Sequence, residues 1–305
     1  MQLQALRYFI MVANTGSFVA TAKYFQVPPS SVSRFISALE KEVGQQLFYR
    51  NTRSVKLTDI GESYFIQIRD VLDQLDFANE QITGKNSEIK GLVRINAPVA
   101  LGRLHIVQMV SRLMTLYPQL SVELVLTDTF IDPVQDGIDI VMRVGVLQDS
   151  ALVARKVCDQ NYVLCASPSY IARAGMPTCP EDLENHACLV YKGMMGIQKW
   201  YFRKASQTTI VQPQGQLKSN NAEVLVQAAL EGKGIVLFPT WIFQQKSFKH
   251  NKLQALLTDW TAGVDPHPIE IHLVSPENRI RSLKVRTVID FILQEIGHPP
   301  YWDNL

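Results

Sequence analysis

Pro29-Ser30-Ser31-Val32-Ser33-Arg34-Phe35-Ile36-Ser37-Ala38-Leu39-Glu40-Lys41-Glu42-Val43 is the stretch on which the reading of this chain turns. A helix turns ~100° per residue, so Val32, Ile36, Leu39 and Val43 share one face and Ser30, Arg34, Ser37 and Lys41 the opposite one. Proline is tolerated in a first helical turn, so the helix is expected to start near Pro29. Its outer face offers hydroxyls, a guanidinium and an ammonium, the groups that hydrogen-bond base edges and phosphates in a major groove. Residues near the N-terminus of such a helix reach the bases, here Ser30, Ser31, Ser33 and Arg34.

Two helices precede it. Leu3, Leu6, Phe9 or Ile10, and Ala13 recur at helical spacing, and Asn14-Thr15-Gly16 ends that run, with Gly16 suited to a left-handed terminal position. Ser17 is the expected cap of a second helix whose inner face is Phe18, Ala22 and Phe25. Downstream, Leu47–Leu57 has two short β-prone runs around a polar, basic tip. That pattern suits a hairpin wing, with Arg50 and Arg53 placed to touch phosphates or a minor groove.

Charge separates this head from the segment behind it. Residues 1–58 carry seven cationic side chains against Glu40 and Glu42, a net +5, whereas residues 59–83 carry Arg69 against six acids, a net −5. The whole-chain charge of +2 over 305 residues hides the contrast. Residues 59–83 predict one long helix with Thr58 as its cap and a narrow stripe of Ile60, Tyr64, Ile68, Leu72 (or Val71), Leu75, Ala78 and Ile82. Such a stripe needs a partner, either a second copy of the helix or the chain's own domain. A polar break is expected at Thr83-Gly84-Lys85-Asn86-Ser87.

Beyond Gly91 strands and helices alternate. Strands are expected over Leu92–Ala97, Val122–Leu126, Ile138–Val144, Tyr162–Ala166, Ile235–Phe238 and Ile269–Val274. Helices are expected over Leu104–Leu116, Ala222–Leu230 and Ile280–Ile296. The alternation predicts an α/β domain with a mainly parallel sheet.

These features together resemble the LysR family of bacterial regulators. The ordered matches are Ala13-Asn14-Thr15-Gly16-Ser17-Phe18, Ala20-Thr21-Ala22, Pro29-Ser30-Ser31-Val32-Ser33-Arg34, Leu39-Glu40 with Gly44, Leu47-Phe48-Tyr49-Arg50, and Leu57-Thr58 with Gly61-Glu62. They continue through Asp139-Ile140-Val141-Met142-Arg143-Val144-Gly145 and Gly232-Lys233-Gly234-Ile235. Two positions depart from the family pattern. Pro28 stands where a serine cap is common, which passes the expected capping role to Ser30, and Thr21 replaces a common alanine.

The resemblance implies an α+β two-domain chain. Residues 1–58 would form a winged helix-turn-helix, 59–88 a linker and dimerisation helix, and 89–305 an α/β effector domain. That last domain would comprise two Rossmann-like subdomains like those of periplasmic binding proteins. The resemblance also implies a homodimer or homotetramer on double-stranded DNA at a promoter inverted repeat, under control of a small-molecule effector. By family position the cleft residues would be Pro98, Val99 and Ala100, then Thr127 and Asp128, then Arg143, then Asn220 and Asn221. Ligands in such folds lie at strand carboxyl ends and helix N-termini. Arg143 suits an anionic effector, but would equally pair with Asp139 or Asp128; Asn220 and Asn221 would equally serve as helix caps.

Other classes of function find little support. The chain shows no Gly-x-Ser-x-Gly elbow, P-loop or complete dinucleotide fingerprint, and Gly232-Lys233-Gly234 reads as a helix end. No enzyme activity, cofactor or metal is expected: the six histidines are scattered, and Cys158, Cys165, Cys179 and Cys188 form no zinc spacing. Cys165 falls in an apolar strand pattern, as a buried structural thiol would. With no leader pattern and no apolar run near ~20 residues, the expected location is cytoplasmic, with no membrane. A non-specific architectural DNA binder is the remaining alternative, and it leaves the large C-terminal domain unexplained.

Overall fold

Helix α1 (Leu3–Thr15) ends where Gly16, at φ +61°, donates its N–H to the Val12 carbonyl at 2.9 Å. A left-handed residue at this place satisfies an orphan carbonyl, and glycine adopts it without a steric penalty. Ser17 then caps α2 (Phe18–Tyr24), its Oγ accepting from Ala20 N at 3.1 Å. Thr21, the departure from alanine, is fully buried, and its hydroxyl donates to the Ser17 carbonyl at 2.9 Å. The extra hydroxyl is thereby hydrogen-bonded rather than stranded in the core. The computed structural model describes residues 2–51, 54–83, 89–145, 147, 152–193 and 196–305.

Helix α3 (Pro29–Val43) buries Val32, Ile36 and Leu39 against α1 and α2, as its spacing requires. Strands β1 (Phe48–Asn51) and β2 (Ser54–Leu57) pair antiparallel to form the wing. Glu40 ties recognition helix to wing: its Oε1 accepts from Leu47 N at 3.0 Å and Phe48 N at 3.2 Å. Thr58 caps α4 (Asp59–Thr83), accepting from Gly61 N at 2.9 Å while donating to the Gln46 carbonyl. A Cβ on Gly61 would lie 2.1 Å from the Leu47 oxygen, so no larger residue fits where α4 leaves the wing.

The apolar stripe of α4 divides. Ile68 and Leu72, with Phe65, are buried in the core formed with α1 and α3. Ile60, Val71 and Ala78 stay exposed, and separations of eleven and seven residues keep them near one line of the helix. The side chain of Ile82 and the polar break at 84–87 lie outside the described residues. Helical spacing could not make this division, because both halves fit one broad stripe.

The chain forms two compact units: residues 1–88 with 277–286, and residues 89–276 with 287–305. In the first, the short segment 277–286 lies on α4. Arg279, 2% exposed, pairs with Asp70 and Asp73; Lys284 also reaches Asp73, and Asn278 donates to Asp70. Burial is the larger influence on Asp70 and raises its pKa despite the adjacent guanidinium.

The second unit opens with β3 (Gly91–Ala97), a helix assembled from α5 (Val99–Leu101), a π turn (Gly102–Ile106) and α6 (Val107–Leu116), and β4 (Leu120–Leu126). Next come β5 (Ile140–Val144), β6 (Leu152–Asp159) and β7 (Tyr162–Ala166). The first subdomain is a sheet in the order β4, β3, β5, strand Glu270–Pro276, β6. Strands β3, β4 and β5 run parallel, but Glu270–Pro276 is antiparallel to both β5 and β6. In the second subdomain β7 lies between strands Val236–Pro239 and Gln254–Leu256, antiparallel to each. The first sheet is therefore mixed and the second antiparallel, where a mainly parallel sheet was expected. Strand-helix alternation reveals element order, whereas direction is set by chain crossings between subdomains. The final helix is also interrupted, as Glu277–Ile280 followed by Leu283–Ile296.

Candidate DNA-binding face and ligand cleft

On α3, Ser30, Arg34, Ser37 and Lys41 are exposed, and Ser31 and Ser33 are half-buried. Pro28 precedes the helix at φ −61°, ψ 142° and supplies no side-chain cap. Pro29 is already helical, so Ser30 sits inside the first turn and does not take the capping role expected of it. A capping side chain must come from the residue just before the helix. The start of α3 therefore presents hydroxyls and a guanidinium to solvent. Arg50 lies in β1 with its side chain outside the described residues, and Arg53 is outside them altogether.

The second unit holds a cavity of about 340 Å³ lined by both of its subdomains. The first subdomain lines it with Pro98, Val99, Ala100, Asp128, Val144 and Gly145. From the second come Asn220, Asn221, Tyr162, Tyr191, Phe238 and Trp241. Six of the eight cleft residues named from sequence thus meet on one cavity. Thr127 and Arg143 do not line it; they border a neighbouring cavity of about 430 Å³ that shares Pro98, Asp128 and Val144.

Local structure explains these placements. Arg143 donates to the Ile131 carbonyl at 2.9 Å and lies 4.4 Å from the Phe130 ring centroid, while the Asp139 carboxylate accepts from Arg94 N at 2.8 Å. Asp128 Oδ1 accepts from Val99 N at 3.0 Å, at the start of α5. Helix Ala222–Leu230 begins at Asn221, whose Oδ1 accepts from Glu223 N and Val224 N at 3.0 and 3.1 Å. Asn221 is therefore both a cap and a wall of the cavity.

The aromatic wall escaped sequence reasoning. Tyr162 opens β7, and its hydroxyl accepts from Gln160 Nε2 at 2.6 Å; Gln160 Oε1 in turn accepts from Trp241 Nε1 at 3.0 Å. A search at strand carboxyl ends misses Gln160 and Tyr162, which reach the cavity at the amino end of β7. The antiparallel neighbours of β7 are the cause. The usable signal was the aromatic residue on the turn side of that strand.

The cysteines stand apart from this chemistry. Cys165 is fully buried, and burial pushes its thiol pKa up; Cys158 is pushed up to about 12 and Cys188 to about 11, chiefly by burial. Thiols held so far from thiolate react poorly.

An exposed, basic helix-turn-helix joined to a two-lobed domain with a central cavity defines a ligand-responsive DNA-binding regulator. Its family follows from comparison with known proteins. Residues 3–62 match the bacterial regulatory helix-turn-helix protein, lysR family, and residues 86–297 match the LysR substrate binding domain; the chain belongs to the LysR family of transcriptional regulators. It is 32% identical over 293 residues to the uncharacterized HTH-type transcriptional regulator YhjC of Escherichia coli K12, covering 95% of this chain and 96% of that one. It is 31% identical over 290 residues to the HTH-type transcriptional activator AaeR of the same strain, covering 95% and 92%. Among solved structures it resembles the full-length Vibrio cholerae virulence activator AphB, at 29% identity and TM-score 0.59 over 96% of this chain and 99% of that one. It also resembles CrgA of Neisseria meningitidis, at 25% identity and TM-score 0.62 over 97% and 99%. No helix among the described residues is long and apolar enough to cross a membrane.

Proposed function

We propose that this regulator acts in the cytoplasm as a homodimer or homotetramer on promoter inverted repeats, and that its effector occupies the 340 Å³ cavity. Ser30, Ser31, Ser33 and Arg34 contact DNA in the major groove, with Arg50 and Arg53 on the flanking backbone or minor groove. Residues 1–58 form the DNA-binding domain, 59–88 the linker and 89–305 the effector domain. The exposed line of Ile60, Val71 and Ala78 on α4 is the dimer seam. Pro98, Val99, Ala100, Asp128, Asn220 and Asn221 contact effector, and Thr127 and Arg143 flank the site. Ligand shifts the DNA-bound arrangement only through its differential affinity for the two arrangements.

The observation that carries this reading is the exposure of Ser30 and Arg34 on a helix whose other side buries Val32, Ile36 and Leu39. Selection of genomic fragments by the purified full-length protein at physiological salt tests it. A few intergenic sites sharing an interrupted palindrome are expected. Capture without sequence preference would overturn it in favour of architectural binding.

A further inference from the structure

The chemical class of the effector can be read from the cavity walls; this inference rests on the cavity being the effector site. Among the described residues that line it there is neither lysine nor arginine, and the charged ones are Asp128 and Glu223. Glu223 is paired with Arg103, which leaves Asp128 as the charge on offer.

Two helix starts face this space, and helix starts ordinarily attract anions. Each already holds a side-chain oxygen of the chain itself. Asp128 Oδ1 holds the Val99 N–H, and Asn221 Oδ1 holds those of Glu223 and Val224. An incoming carboxylate would find Asp128 where it needs a donor, and like charges repel strongly in a partly desolvated cleft.

The remaining wall is aromatic: Tyr162, Tyr191, Phe238 and Trp241. Aromatic faces attract cations and stack on planar rings. Tyr191 stands close enough to Asp128 for its hydroxyl pKa to be raised by that charge, after the larger effect of burial. Gln160 is committed at both ends, to Tyr162 and Trp241, which leaves the Tyr162 proton to offer a ligand acceptor.

We propose that the cleft takes a compact arylalkylamine in its protonated form, ring against the tyrosines and Trp241 and ammonium toward Asp128, and that it refuses carboxylates of the same size. Asp128 thereby acts as both clamp and filter: it attracts one charge sign and rejects the other.

The test is calorimetric titration of the full-length protein with three size-matched probes: 2-phenylethylamine, 2-phenylethanol and phenylacetate. The amine is expected to bind at least about tenfold more tightly than phenylacetate. Asp128→Asn, which retains an oxygen for Val99 N–H, is expected to erase that preference. Ala222→Trp, which fills the cavity, is expected to abolish binding of the amine. Phenylacetate binding equally or more tightly overturns the inference, as does failure of the amine to bind, or amine binding that survives Ala222→Trp. None of these outcomes bears on site selection by the DNA-binding face, which the fragment experiment reads independently.

Discussion

Helix α3 and the two helices that border the cleft begin in opposite ways. Helix α3 starts at Pro28-Pro29 with no capping side chain, exposed, with Ser30 and Arg34 in its first turns. Helix α5 starts with Asp128 on its Val99 N–H, and helix Ala222–Leu230 with Asn221 on two amides. An open helix start beside a guanidinium is free to receive a phosphate, and each phosphate contact adds salt-dependent affinity. A start that already holds a carboxylate or amide oxygen of the chain has fewer donors left for an anion. On the proposed reading the same local device, withheld or used, favours an anion at one unit and disfavours it in the cleft of the other.

The largest expected effect lies on the open side. Arg34→Ala is expected to cost about 1–3 kcal/mol of specific DNA binding, measured by fluorescence anisotropy at fixed salt. Because Arg34 is exposed, the urea midpoint should stay at the parent value. Unchanged affinity would break the comparison by removing Arg34 from the interface. On the closed side the expected effect falls on stability. Asn221→Ala strips the cap from Ala222–Leu230 and is expected to cost about 1 kcal/mol in urea denaturation, with DNA affinity unchanged. A variant as stable as the parent would mean that the Asn221 bonds contribute nothing net.

How far these features were legible in the sequence depends on whether they are local. The inner face of α3, the Gly16 turn and the Ser17 and Thr58 caps follow from short-range spacing and appear as expected. Ser30 as a cap failed by two residues, because the helix already begins at Pro29 and draws Ser30 into its first turn. The α4 stripe had the right period, but a period does not say which neighbour covers it, and Ile68 and Leu72 turned inward. Asp128 and Asn221 were found from strand ends and family position. Tyr162 and Gln160 were hidden, because only the antiparallel placement of β7 brings its amino end to the cleft, whereas Trp241 follows the carboxyl end of strand Val236–Pro239. The break before Leu283 was also hidden: it accompanies the contact of Arg279 with two acids more than 200 positions away.

The smallest expected effect concerns the wall behind Trp241 and is a slope with pH. His105 is buried in the π turn between α5 and α6. Its Nε2 lies 2.7 Å from the Trp241 carbonyl and its Nδ1 2.5 Å from the Tyr301 hydroxyl. A carbonyl only accepts, so Nε2 carries the proton and Nδ1 accepts from Tyr301: the neutral ring satisfies both partners. Burial accordingly lowers its pKa, and the bond to the Trp241 carbonyl offsets only part of that. The unfolded chain, with histidine near its ordinary value of about 6.5, binds more protons than the folded one as pH falls. Stability should therefore be level above about pH 7.5 and decline from the unfolded value of about 6.5 downward, toward the depressed folded value. His105→Gln, which retains a donor for the Trp241 carbonyl, should flatten the urea midpoint between about pH 7.5 and 5.5, above the range where most carboxylates titrate. A variant that keeps the parent's slope would move the titration to another group. A flattened slope would sharpen the comparison, since Trp241 belongs to the cleft and a wall held by a neutral ring loses support in acid, whereas the exposed start of α3 has no such dependence.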